Sequence, residues 1–286
     1  MGKPFLMAGP GVFCRRTSRY LNARTRIWSA LTILGEVMQP ALTRCLPSVG
    51  PDTRPEYVKL LRDLAALTNS FGITLPWRAQ CDAAILTFSI ECADRLLDAL
   101  PELACREQFG ADIVLRLRGV CPSNEDLTPE LAGRLARLEE IARRRGVEDQ
   151  LCEGVAELLR NCETMRTTRR RSEFAECTAR EGRLMVELLL LLIGEWTTQE
   201  FDEFMRCMAA PANFSDKLRD AAGDFQRGEI AIKPTLAFRI ALCWELFWRT
   251  LRLLPFCIGH WHLARWGVQA LFTELIWFRF SKAHLG

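Results

Sequence analysis

The stretch 213-NFSDKLRDAAGDFQRGEIAIKP-234 places aspartates at positions 216, 220 and 224, each four residues after the one before. Residues four apart share one face of an α-helix, so this spacing predicts a helix with three carboxylates along one side. Like charges at this spacing repel each other and destabilise an isolated helix. Either the face is solvated and balanced by the basic residues of the same stretch, or a positive ligand such as a metal ion lies against it.

Helical periodicity recurs along most of the chain, with apolar residues three and four positions apart. The segments predicted to be helices are 56–70, 78–100, 103–119, 129–145, 147–163, 172–195, 198–210 and 213–227. Pro211 is predicted to end the seventh of these and Gly228 the last. Thr128 as N-cap and Pro129 at the first helical position predict the start of the fourth. Because no alternating β-branched run predicts a strand, the predicted fold class is all-α.

The domain organisation follows from the turn-forming residues near the N-terminus. Gly and Pro punctuate the first fifty residues, and 46-LPSVGPDTRP-55 has the composition of a linker. We therefore predict an N-terminal extension and linker over 1–54 and one helical domain over 55–286.

Composition narrows the class of protein and its partners. The chain has 286 residues, 49% of them hydrophobic, and a net charge of only +3. It can therefore bury a substantial core, and no nucleic-acid partner is predicted because the chain has no strong positive field. The 12 cysteines include no C-x-x-C pair and the chain has 3 histidines, so the ligand spacing of a structural zinc site is missing. Most of the cysteines are predicted to be small apolar groups in a reducing compartment.

Location is predicted from what the sequence lacks. The N-terminal residues show no signal-peptide pattern, and no uncharged apolar run reaches the roughly 18 residues that cross a bilayer. The predicted location is therefore cytoplasmic, with the possibility of a peripheral contact with the membrane.

A second acidic cluster lies on the predicted helix 78–100. Glu91 directly follows the apolar run 83-AAILTFSI-90, and Asp94 and Asp98 lie three and seven residues after Glu91, so all three share one face of the helix. The apolar part is expected to be buried and to present the acids at the C-terminal end of the helix. Carboxylates there meet the unfavourable end of the helix dipole, a cost that a bound cation would relieve. The alternative is an ordinary exposed acidic edge.

Two acidic helices that face each other can hold a diphosphate through bridging magnesium ions. Mg²⁺ binds one or two carboxylates and completes its octahedron with water and phosphate oxygens. The paired D-x-x-x-D motifs, Asp94 to Asp98 and Asp220 to Asp224, therefore form a coherent magnesium–diphosphate clamp.

The same two motifs resemble the aspartate-rich motifs of the squalene/phytoene synthase family. The run 218-LRDAAGDFQRG-228, with Pro234 beyond it, carries the fuller likeness. The chain departs from the family pattern at Glu229, where Arg is usual, and at Ala231 and Ile232, near the usual place of a Tyr. The resemblance implies a single all-α bundle of the class I isoprenoid synthase type around a deep apolar cavity, with the motifs at its mouth.

The resemblance also implies an activity. Such an enzyme binds isoprenyl diphosphates through Mg²⁺, ionises the allylic C–O bond and couples the cation to a second prenyl chain. The expected metal ligands are Asp94, Asp98, Asp216, Asp220 and Asp224, and the expected substrate-binding residues are Glu91, Asn213, Arg219 and Arg227. Two alternatives remain, namely a terpene cyclase that uses a single prenyl diphosphate and a non-enzymatic helical protein at the membrane periphery.

The segment 235–280 is aromatic and basic. It holds five of the eight tryptophans, and residues 231–286 contain seven Lys and Arg but only the acids Glu245 and Glu274. Aromatic residues interspersed with arginine on amphipathic helices are typical of a membrane interface. The other interpretation is that these helices close the bundle and bury their aromatic side chains.

Overall fold

The computed structural model of the chain describes residues 55–100, 102–120, 127–261 and 263. Within these ranges the protein is all-helical and has no strand, which confirms the predicted fold class. The α-helices are α1 (Pro55–Ser70), α2 (Trp77–Ala99), α3 (Leu103–Leu117), α4 (Pro129–Arg145), α5 (Glu148–Thr167), α6 (Arg171–Ile193), α7 (Gln199–Arg227), α8 (Leu236–Thr250) and α9 (Leu254–Gly259). Short 3₁₀ turns follow α6 at Gly194–Trp196 and α8 at Leu251–Leu253. The predicted extension and linker, 1–54, lie outside the described residues.

Helix α6 is the centre of the bundle. It packs against α2, α4, α5, α7 and α8, and its most extensive interfaces are with α5 and α7. Gly182 is at the crossing of α6 and α7, where a Cβ atom would collide with the backbone carbonyl of Ala209 and lie 3.1 Å from Cβ of Asn213. Gly154 plays the same role for α5, because a Cβ there would lie 2.8 Å from Cδ2 of Leu188. Glycine therefore allows the three helices to approach closely.

The prediction that Pro211 ends a helix is wrong. Helix α7 continues through it as one element of 29 residues, so the predicted helices 198–210 and 213–227 are a single helix. Proline removes one backbone hydrogen bond and crowds the preceding turn. Around Pro211 this cost is offset by packing, because Ala210, Pro211 and Phe214 are buried. Tertiary contacts along α6 thus override the local preference of the sequence.

Two predicted helix ends are confirmed. The Thr128 hydroxyl accepts a hydrogen bond from the Leu131 amide at 3.3 Å, and Pro129 occupies the first turn of α4. At the end of α7, Gly228 adopts φ +77° and its amide caps carbonyls of the last turn. One prediction was too short: α5 reaches Thr167, a turn beyond 163, and this extra turn carries Arg166.

An aromatic core joins α6, α7 and α8. Phe174, Phe214 and Phe238 are at most 1% exposed, and the rings of Phe174 and Phe238 lie 5.3 Å apart at an interplanar angle of 61°. Ile230 and Ile232, in the loop after α7, join the same buried cluster. This core holds the C-terminal half of α7 against its neighbours.

Three further observations bear on the sequence-based predictions. None of the helices in the described ranges is long and apolar enough to cross a membrane. The prediction that most of the thiols are buried is not confirmed by the described free cysteines: three are buried, three are half-buried and two are exposed, namely Cys92, Cys152 and Cys177, then Cys162, Cys207 and Cys257, then Cys105 and Cys243. Cys81 differs, because it is disulfide-bonded.

Candidate functional site

Helix α2 presents Asp94 and Asp98 after a buried segment, as expected from the sequence. Its side chains from Cys81 to Ser89 are buried, and Glu91 is only 3% exposed. Asp94 and Asp98, one and two turns later, are half-buried. The carboxylate of Asp98 pairs with the guanidinium of Arg166, on the last turn of α5.

Helix α7 directs a polar stripe at α6. The side-chain amide of Asn213 donates hydrogen bonds to the Thr178 carbonyl and to Oε2 of Glu181, both at 2.7 Å. Nζ of Lys217 lies 3.6 Å from the same carboxylate oxygen. The thiol of Cys162, on α5, lies 3.9 Å from the other oxygen of Glu181. Glu181 is therefore the point at which α5, α6 and α7 meet through polar groups.

The name polar cluster is used below for nine side chains of α2, α5, α6 and α7 that are connected by the contacts above and by the ion pair and electrostatic effects described in the next paragraphs. Its members are Asp94, Asp98, Cys162, Arg166, Glu181, Asn213, Lys217, Asp224 and Arg227.

Arg227 links the two aspartate motifs. Its Nη2 atom lies 2.7 Å from Oδ1 of Asp224, in the second motif. Hydrogen bonding to Glu229 raises the pKa of Arg227, and the carboxylates of Asp224 and Asp98 raise it further. Asp98 belongs to the first motif, on α2. One guanidinium on α7 is therefore within electrostatic reach of a carboxylate from each motif.

A second link runs through the middle of the cluster. Burial raises the pKa of the Cys162 thiol, and the carboxylates of Glu181 and Asp94 raise it further. Asp94, on α2, and Glu181, on α6, therefore both act on the same thiol of α5. Burial lowers the pKa of Lys217, but Glu181 and the nearby acids outweigh that effect, so the net pKa is raised. Lys217 is therefore held as a cation among carboxylates.

Asp224 is the most perturbed aspartate of the second motif. Burial raises its pKa to about 6, Glu229 and Asp220 act in the same direction, and Lys217 and Arg227 oppose them. Its side chain is only 8% exposed. The ionised form of the Asp224 carboxylate is therefore destabilised by burial even though it pairs with Arg227.

Asp216 and Asp220 lie at the rim of the cluster. Their side chains are 50% and 46% exposed, and both pair with Arg219, whose Nε lies 3.2 Å from Oδ1 of Asp220. Asp98 and Asp224 thus both act on the charge of Arg227, and Asp94 acts on Cys162, whereas Asp216 and Asp220 lie on the solvent side of α7. Glu91 shares the face of α2 with Asp94 but is in the buried part of that helix.

The donors suit magnesium in chemistry, although they are not arranged as a closed metal site. Carboxylate oxygens from two helices are the ligands Mg²⁺ prefers, and it needs only one or two from the protein. Over the part of the chain that the structure describes, no three His, Cys, Asp or Glu side chains form a group that could hold a metal ion. Arginines partner the carboxylates instead, as in Asp98–Arg166 and Asp224–Arg227.

Sequence reasoning missed four members of the cluster, namely Cys162, Arg166, Glu181 and Lys217. Arg166 lies beyond the predicted end of its helix, and Cys162 and Glu181 are single polar residues whose spacing carries no motif. Lys217 gave a usable signal, because it lies four residues after Asn213 and so shares its face of α7.

No protein family model matches the chain, and searches of curated proteins and of solved structures found no match either.

Proposed function

We propose that this chain is a magnesium-dependent enzyme that ionises an allylic isoprenyl diphosphate and couples the prenyl cation to a second prenyl chain. The observation that supports this most directly is that carboxylates of both D-x-x-x-D motifs act on one arginine: Asp224 pairs with Arg227 at 2.7 Å, and Asp98 also raises the pKa of Arg227. The two motifs are remote in sequence, yet their charges act on the same group. Such convergence is what a diphosphate clamp requires.

The acids divide into inner and outer ligands in this proposal. Asp94, Asp98 and Asp224 would be the inner ligands of Mg²⁺, and Asp216 and Asp220, at the rim, would be the outer ligands. The metal would act as a Lewis acid that neutralises charge on the departing diphosphate. Because Mg²⁺ retains several water molecules and binds phosphate oxygens, it does not require the closed cage that the described residues lack.

The basic residues of the cluster would bind the diphosphate. A guanidinium matches two phosphate oxygens at once, and Arg166 and Arg227 already lie beside the two motifs. Lys217 adds a point charge beside Glu181. In the structure these cations are paired with carboxylates, so substrate and metal would replace these ion pairs together. Arg219, which holds Asp216 and Asp220, would be released in the same exchange.

The polar groups of α6 and α7 would set the geometry of the clamp. Asn213 is held by Thr178 and Glu181, and in this position it fixes the orientation of the carboxylate that faces Lys217. Glu91 would support Asp94 from the buried side of α2. The proposal includes the class I isoprenoid synthase fold, in which a deep apolar cavity opens at the two motifs and shields the prenyl cation from water.

The test is an assay of the full chain with prenyl diphosphates of increasing length, with Mg²⁺ or with a chelator. Released diphosphate measures ionisation, and mass spectrometry of the products separates coupling of two chains from cyclisation of one. Asp98→Asn removes one charge from the α2 motif and retains the shape of the side chain. Glu203→Gln is the matched control, because Glu203 is exposed on α7 and bonds only locally to Gln199 at 2.9 Å.

We expect metal-dependent release of diphosphate that is lost in Asp98→Asn and retained in Glu203→Gln. If the product is a cyclic compound made from one substrate, the activity at this site is terpene cyclisation and not the coupling of two chains. If no prenyl diphosphate is turned over, and inorganic diphosphate with Mg²⁺ does not raise the melting temperature of the wild type, the cluster is a structural ion-pair network and the proposal fails.

A further inference from the structure

The outward face of α8 is apolar along its whole length. Its exposed large side chains follow the helical repeat and are 51% to 75% exposed. They are Leu236, Ile240, Trp244, Phe247 and Trp248. The rings of Trp244, Phe247 and Trp248 contact one another, with centroids 5.4 to 6.3 Å apart. These five side chains are called the α8 outer face below.

The one ion pair within α8, Glu245 with Arg249, is on the side of the helix that faces the bundle, whereas a surface helix ordinarily has its charges on the outward side. Phe238 and Leu242 are buried against α6 and α7. Beside them, Glu245 pairs with Arg249 at 3.0 Å, and the Arg249 guanidinium lies 5.2 Å from the ring centre of Phe214. A helix whose only ion pair points inward and whose tryptophans point outward is adapted to an apolar or interfacial environment.

The charged residues that flank α8 in the sequence are basic. Lys233 and Arg252 are exposed just before and just after the helix, and the half-buried Arg239 lies on its first turn. The only acid among residues 231–261 is Glu245, which Arg249 neutralises. An apolar ridge with basic residues at both ends complements a surface that has anionic groups above an apolar layer.

The apolar surface continues after α8. Leu254, the first residue of α9, is 54% exposed. Ile258, in the last turn of α9, and Trp261, just after it, are also exposed. Indole rings are favoured at the level of lipid headgroups, because they combine an apolar body with one polar N–H group. No helix in the described ranges can cross a bilayer, so any lipid contact of α8 lies along the interface.

We propose that the α8 outer face binds the surface of an anionic lipid bilayer, with the helix axis in the plane of the membrane. The ridge is a single helix with basic ends, and in a symmetric dimer these like charges would approach one another. A bilayer supplies counter-charges at both ends instead. The sequence left two interpretations of 235–280 open, and the structure separates them within α8: the inner side closes the bundle and the outer side is available to lipid. Residue 262 and residues 264–280 lie outside the described ranges.

The experiment is co-sedimentation of the full chain with vesicles of phosphatidylcholine, with and without phosphatidylserine. The test variant is Trp244→Ser/Phe247→Ser/Trp248→Ser. Its control is Trp77→Ser, which removes an exposed tryptophan from the start of α2, in a different part of the bundle. A second variant, Lys233→Glu/Arg252→Glu, reverses the basic ends. Circular dichroism and sedimentation velocity establish that each variant is folded and report its oligomeric state.

We expect the wild type and Trp77→Ser to bind phosphatidylserine vesicles, and added salt to weaken this binding by screening. The triple variant should lose more than about tenfold in partitioning, since each buried aromatic side chain contributes a large transfer free energy. The charge variant should lose its preference for anionic lipid. Three results would each overturn the proposal: a wild type that stays in solution with both vesicles, a folded triple variant that binds as the wild type does, and a wild-type dimer that the triple variant converts to monomer without any lipid binding.

Discussion

Helices α7 and α8 are neighbours in the bundle and depart from ordinary amphipathicity in opposite ways. Helix α7 directs Asn213 and Lys217 at α6 and buries Asp224, at positions where a surface helix would place apolar residues. Helix α8 directs tryptophans at solvent, where a surface helix would place charges. Both arrangements cost free energy in the isolated chain, since buried charge and exposed aromatic surface are each unfavourable in water.

This difference indicates which kind of ligand each of the two helices would bind. Charges that face inward are stabilised by a polar or ionic ligand, which for α7 is the proposed magnesium–diphosphate pair. Aromatic groups that face outward are stabilised by an apolar partner, which for α8 is the proposed bilayer. The two helices share the Phe174–Phe238 core, so substitutions can be compared on a common structural background.

The largest expected effect is the loss of turnover in Asp220→Asn. The substitution retains shape and hydrogen bonding but removes one negative charge from the proposed metal site. Diphosphate release should fall by orders of magnitude, because metal stabilisation of the leaving group contributes several kcal/mol and each 1.4 kcal/mol is about tenfold in rate. Stability of the metal-free protein should hold or rise, because repulsion with Asp216 and Asp224 is relieved. If the wild type is active and the variant is equally active, the aspartates of α7 form a solvated face and do not bind a metal.

The next effect separates the two sides of α8. Phe238→Ala empties a site that is 1% exposed and should lower the free energy of unfolding by about 3–5 kcal/mol. Phe247→Ala, on the same helix but 52% exposed, should change it by no more than about 0.5 kcal/mol. Urea denaturation of both variants measures the contrast. Equal losses would mean that the α8 outer face is covered in the free protein.

A pH-dependent effect is expected at Asp224. Its pKa is about 6 when folded against 3.8 for the ordinary group, so between these values the folded state holds a proton that the unfolded state has released. Stability from this residue is therefore present at low pH and is lost as pH rises through about 6. Asp224→Asn should stabilise the metal-free protein by up to about 3 kcal/mol near pH 7 and by little near pH 4. Melting temperatures of both proteins across this range test the prediction, and a constant offset would contradict it.

The smallest effect concerns the crossing that brings α7 close to α6. Gly182→Ala should cost about 1–3 kcal/mol, since the new methyl group meets the backbone at Ala209 and the helices must separate. Gly133→Ala is the matched control, because Gly133 is inside α4 with open space around it and should gain up to about 1 kcal/mol. Thermal denaturation distinguishes the signs. Parallel gains would show that α6 and α7 are less tightly packed than the structure indicates.

Much of the fold could be predicted from local pattern. Apolar spacing indicated the helices from α1 to α6, and the cap at Thr128 and the stop at Gly228 were visible because each depends on a few adjacent residues. The burial of α2 before Asp94 was predicted for the same reason. Pro211 was misjudged, because its local cost is clear in the sequence while the packing that offsets it comes from another helix.

Local patterns in the sequence were enough to predict that the chain is helical, that two D-x-x-x-D motifs lie on separate helices, and that the region from α8 onward is rich in tryptophan and arginine. Only the tertiary structure decided which charges meet. Arg166, Glu181 and Lys217 join the cluster because three helices cross at Gly154 and Gly182, and no spacing along the chain encodes that crossing. It also decided that the tryptophans of α8 face outward, because helical periodicity defines a face but not the neighbour that covers it.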